Sequence, residues 1–105
     1  MGYEYKAIPD DVEDYRRRRQ ALLLQIESLP TFAGRGGPEQ AGLDDAPHLQ
    51  RNVRWGDPVQ LWFEPDRVHV LCAGALSEAL RRDLRELLRM IGGRYVDDDG
   101  EPAAF

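Results

Sequence analysis

Apolar and polar residues alternate twice between Val59 and Ala73. Val59, Leu61 and Phe63 alternate with Gln60, Trp62 and Glu64; Val68, Val70 and Cys72 alternate with His69, Leu71 and Ala73. A period of two predicts two half-buried strands. Between them, Glu64-Pro65-Asp66-Arg67 suits a type I turn, because proline presets φ at the first central position. A two-residue primed turn is disfavoured, since its first central residue needs a positive φ that proline cannot adopt. This spacing sets Phe63 opposite Val68, Leu61 opposite Val70 and Val59 opposite Cys72. One face of the hairpin is then wholly apolar. The other pairs Trp62 with His69 and Gln60 with Leu71, and a register slip would mix the two sets.

The period then changes to that of a helix. Leu76, Leu80, Leu84, Leu87, Leu88 and Ile91 form an apolar stripe, with Arg81, Arg82, Arg85 and Arg89 on the far side as a solvated face. Ser77 is placed to cap the start and Gly92-Gly93 to stop the end. Asp83 falls inside the apolar arc. A second helix is predicted over residues 10–29, with Asp10 as cap, Glu13 completing a capping-box-like pair, and Pro30 as the stop. Its seam of Val12, Tyr15, Leu22, Ile26 and Leu29 carries Arg19 at the vacant position. Each helix thus has one charge in its apolar stripe, of opposite sign, which predicts an Arg19–Asp83 ion pair where the helices pack. The run Arg16 to Arg19 points in four directions on a helix and does not make one patch. Glu13→Arg17 and Asp14→Arg18 are i,i+4 pairs.

Tyr3 to Ile8 alternates as a short strand ended by Pro9, and Arg94 to Val96 reads as a last one. Asn52 to Trp55 is a further short candidate. The stretch 30–52 reads as a long Gly/Pro-containing loop, with Phe32, Leu43 and Leu49 available to pin it to the core. Its Gly34-Arg35-Gly36-Gly37 lacks the following Lys-Ser/Thr of a Walker loop. Residues 97–105 read as a frayed acidic tail. Strand, helix, strand, strand, helix, strand is the βαββαβ order of the ferredoxin-like split unit. The expectation is a single α+β domain over 1–105: a two-layer sandwich, two helices on one face of an antiparallel sheet. If the end strands fail to pair, the alternative is a smaller antiparallel α+β sandwich.

Composition then narrows function. A formal net charge of −5 argues against general nucleic-acid binding. Hydrophobic content of 42% with 31% charged residues is that of a folded globular chain. The single cysteine, Cys72, alternates onto the apolar strand face as an inert thiol. No apolar run spans a membrane, no signal-peptide pattern opens the chain, and Lys6 stands where a myristoylation motif needs Ser or Thr. A cytoplasmic location is expected. His48 and His69 have no metal-ligand neighbours in sequence, and Asp97-Asp98-Asp99-Gly100 departs from a calcium loop at Tyr95. No metal or cofactor is expected.

These exclusions point to a small non-enzymatic interaction or regulatory module. It would bind another protein, or itself as a homodimer, through the sheet face bearing Trp62, His69, Leu71 and Gln60. Acidic segments would suit a basic partner. Two further readings stay open: a small-molecule site or enzyme using a pocket near His69 and Trp62, and single-stranded RNA stacked on sheet aromatics. Loop cover is the structural alternative for the same face.

Overall fold

The computed structural model describes residues 3–44 and 58–105. The elements in order are β1 (Tyr3–Pro9), α1 (Val12–Gln25), a 3-10 turn (Ile26–Ser28), β2 (Phe32–Gly37), β3 (Gln40–Leu43), β4 (Val59–Phe63), β5 (Val68–Cys72), α2 (Glu78–Ile91), β6 (Gly93–Asp97) and β7 (Pro102–Ala103). The strands form one seven-stranded sheet in the order β2-β3-β4-β5-β1-β6-β7, antiparallel throughout. The protein is therefore α+β, and among the described residues it has two α-helices and a larger sheet than the six-element pattern predicts.

The β4–β5 hairpin has the predicted register, with Phe63 opposite Val68, Trp62 opposite His69 and Val59 opposite Cys72. Val59, Leu61, Phe63, Val68, Val70 and Cys72 are all buried and join Tyr15, Leu22, Leu23 and Ile26 of the α1 region and Leu80, Leu84, Leu87 and Ile91 of α2 in one core. Both helices thus cover the same sheet face. β1 sits between β5 and β6, with Ala7 opposite both Val68 and Tyr95. Ser77 caps α2 by accepting from the Leu80 N–H at 3.2 Å. Gly92 ends that helix in the left-handed region at φ 76°, where a side chain would be strained. Gly93 is needed for a different reason: a Cβ there would lie 2.1 Å from the Ile8 carbonyl oxygen across the β1–β6 pairing.

Four sequence expectations are corrected. Asp11, rather than Asp10, caps α1 by accepting from the Asp14 N–H at 3.1 Å. Glu13 pairs with Arg16 one turn on, not with Arg17, while the Asp14–Arg18 pair forms at 2.7 Å. The stretch 30–52 does not begin as a loop. Residues 32–43 are a hairpin whose second strand lies beside β4, with Ala41 opposite Leu61 and Leu43 opposite Val59. Ala41 and Leu43 are buried there, and that burial outweighs the weak strand preference of a glycine-rich segment. The tail is also ordered. The Asp97–Glu101 backbone bond closes a turn into β7, and Phe105 packs edge-on against Tyr5 and Tyr95 at centroid distances of 4.9 and 4.8 Å. His48, Leu49 and the Asn52 to Trp55 segment lie outside the described residues.

Candidate functional site

Strand alternation divides the sheet into a buried face and an open one. Along β4 and β5 every odd-numbered β4 residue and every even-numbered β5 residue faces the helices, and the others are half-buried on the far side. Two rows cross that far face. Glu4 of β1, Leu71 of β5, Gln60 of β4 and Gly42 of β3 form one, and Lys6, His69, Trp62 and Gln40 form the next. Trp62, His69, Leu71 and Gln60, singled out from the sequence, are thus brought together on adjacent strands.

The Trp62 and His69 rings meet edge to face, with centroids 5.9 Å apart. His69 Nε2 lies 3.7 Å from a Glu4 carboxylate oxygen, close enough for an ion pair but too long for a hydrogen bond. Glu4, Trp62, Glu64, His69 and Leu71 line a shallow concavity of about 320 Å³. Glu4 and Leu71 also border a second hollow of about 660 Å³ towards Tyr3, Tyr5 and Asp98. Tyr3 is 60% exposed there. Among the described residues the Glu64 side chain has no ion-pair partner. The sequence pattern drew attention to the aromatic and imidazole groups but missed Glu4 and Glu64. Glu4 enters only through the β1–β5 register, whereas Glu64 already alternates onto the Trp62 face in the sequence.

The predicted Arg19–Asp83 pair does not form. Arg19 donates from Nε and Nη2 to the Phe63 carbonyl at 2.9 and 2.6 Å and pairs with Glu39 of the β2–β3 turn at 2.5 Å. Asp83 accepts instead from the Thr31 N–H at 2.9 Å and the Thr31 hydroxyl at 2.7 Å. The cause is the 3-10 turn: it ends α1 early and swings Thr31 over α2. The helix-to-helix cation is Arg18, which donates to the Met90 and Ile91 carbonyls at 3.0 and 3.1 Å. A guanidinium at a helix C-terminus satisfies carbonyls that have no partner within the helix.

Other chemistry-bearing groups are committed to structure. Burial pushes the Cys72 thiol up to about 11, so little thiolate forms near neutrality. Burial likewise raises Tyr15 to about 12, and its hydroxyl donates to the Glu64 and Arg67 carbonyls at 2.7 and 3.1 Å. Tyr95 is raised by the same cause, its hydroxyl donating to the Leu84 carbonyl in mid-helix. The carboxylates of Asp97, Asp98 and Asp99 lie within 4.8 Å of one another. Asp97 uses one oxygen to accept from the Asp99 and Glu101 N–H groups, a turn role. Among the described residues, a hollow of about 510 Å³ also lies over α2 beside Pro30, Arg82 and Met90, but the Glu4–Trp62–Glu64–His69–Leu71 concavity is the one that combines ring surface, an aliphatic side chain and two carboxylates.

Among the described residues no helix is long and apolar enough to cross a membrane. A scan against protein-family models finds no match, and neither curated proteins nor solved structures match the chain.

Proposed function

We propose that this chain is a non-enzymatic cytoplasmic interaction module that binds another protein through the open sheet face. The observation that supports this most is Trp62: a tryptophan left half-buried beside Leu71 and His69 on a face that the helices do not cover. Tryptophan on a concave, partly apolar surface is the residue type most enriched among binding hot spots. A ferredoxin-like reading, with β2, β3 and β7 as additions, is supported by the path β1-α1-β4-β5-α2-β6 and the strand order β4-β5-β1-β6. In that arrangement the sheet face opposite the helices is the free surface.

A second reading is self-association through the same face, since a two-fold pairing of sheets would also cover Trp62. One experiment tests both. A photo-crosslinking residue placed at Leu71, and separately at Arg81 on the exposed side of α2, is activated in cells. The proposal expects a discrete adduct from the Leu71 position and none from the Arg81 position. An adduct of twice the chain mass assigns self-association. Equal labelling from both positions, or none from either, would contradict the reading.

A further inference from the structure

We infer that the concavity between Glu4 and Glu64 seats an arginine side chain of the partner; this rests on the open-face reading and names the partner's chemistry. Three features of the surface support it. Glu4 and Glu64 border one hollow whose remaining lining is Trp62, His69 and Leu71. A guanidinium is planar and weakly hydrated; it forks onto carboxylates and stacks on aromatic rings, whereas an ammonium does neither as well.

Neither carboxylate is held by an arginine or lysine among the described residues. Glu64 has no ion-pair or hydrogen-bond partner for its side chain among the described residues, although its backbone closes the turn with Arg67. The Glu4 side chain is 55% exposed and its only described partner is His69, at 3.7 Å. By contrast, the acidic groups on the helix side are used: Asp14 by Arg17 and Arg18, Glu78 by Arg85, and Glu86 by Arg89. Carboxylates without an arginine partner thus border the hollow that holds the half-buried Trp62 ring. Lys6 faces His69 from β1 and does not line the hollow.

The size agrees with a side chain rather than a whole cofactor. About 320 Å³ lies at the bottom of the range of roughly 300–1,000 Å³ for small-molecule pockets, and this one is shallow. The adjoining hollow, which shares Glu4 and Leu71 and carries Asp98 and the exposed Tyr3, gives a neighbouring residue of a basic segment a place to lie.

The test uses an end-capped Ala-Arg-Ala-Arg-Ala peptide, with lysine and glutamate counterparts, titrated into the ¹⁵N-labelled full chain. The indole N–H of Trp62, assigned with Trp62→Phe, is the reporter. The expected result is a saturable shift with the arginine peptide, weaker with lysine and absent with glutamate. Glu4→Gln combined with Glu64→Gln should weaken binding about tenfold, the product of two exposed ion pairs. Both substitutions are at exposed carboxylates, so an unchanged amide spectrum elsewhere verifies the fold. An arginine-peptide shift that is absent, or that the double variant leaves unaltered, overturns the inference. If crosslinks still form from Leu71 in that case, the open face is kept and only its cationic occupant is lost. If a nucleic acid or a second copy displaces the indole signal while the arginine peptide does not, the inference also fails.

Discussion

Thr31 holds the Asp83 carboxylate with two hydrogen bonds, from its backbone N–H and from its hydroxyl. Both residues are buried, with relative exposures of 2% each. A carboxylate in an apolar helix stripe is tolerated only when donors meet it. Here they come from the segment linking α1 to β2, so the pair fixes the entry of the β2–β3 hairpin relative to α2. Arg82, at 3.6 Å, adds a peripheral charge contact from the solvent side.

This relationship predicts a specific coupling. Thr31→Val should cost about 1–3 kcal/mol in urea denaturation, because it leaves one carboxylate bond unmade. Thr31→Ser should keep most of the stability. A double-mutant cycle of Thr31→Val with Asp83→Leu should be non-additive by roughly 0.5 kcal/mol or more, and one of Arg19→Met with Asp83→Leu should be additive. Coupling in the second cycle and none in the first would contradict the observed partners.

Arg19 has its own consequence. Its guanidinium joins α1 to the end of β4 and to Glu39 in the β2–β3 turn, where the Phe63 N–H also bonds the Glu39 carbonyl at 2.8 Å. Arg19→Met should destabilise by about 1–3 kcal/mol and accelerate amide exchange in β3 more than in β1. Arg19→Lys should recover little, because the Phe63 carbonyl receives a two-nitrogen fork. Uniform exchange across the sheet would mean that Arg19 does not anchor the hairpin.

Alkaline stability follows from Tyr15. Burial raises its folded-state value from 10.0 to about 12, so the neutral hydroxyl is the form that folding favours. Its contribution is complete below about pH 10 and is lost as pH rises towards about 12. Tyr15→Phe should be less stable near neutrality, having lost the bonds to the Glu64 and Arg67 carbonyls, and should show a shallower decline above pH 10. Tyr95 is shifted in the same direction, so part of the decline should persist. An identical slope for wild type and Tyr15→Phe would exclude Tyr15 as a source.

Local patterns made the hairpin and α2 legible. The period-two runs fixed the β4–β5 register, and Ser77 and Gly92 marked the ends of α2, because those signals act within a few residues. The β2–β3 hairpin was hidden because glycines and Pro38 carry turn signals, while the reason for pairing, Ala41 and Leu43 lying on the core beside β4, is a long-range effect. The Arg19–Asp83 pairing failed for a related reason. Helical periodicity placed both charges inward correctly but could not show that a 3-10 turn would bring Thr31 to Asp83 first. Trp62, His69 and Leu71 were visible as a face by alternation alone. Glu4 joined them only once β1 was seen to pair with β5.

The most direct measurement of the central claim is urea denaturation of Trp62→Thr combined with Leu71→Thr, at two protein concentrations. Both positions lie on strands, where threonine is well accepted. A surface kept apolar for binding contributes little to folding, so the double variant should match wild type within about 0.5 kcal/mol or exceed it, independently of concentration. A loss of more than about 2 kcal/mol would contradict the account, because it would make the open face a packing surface of the folded chain.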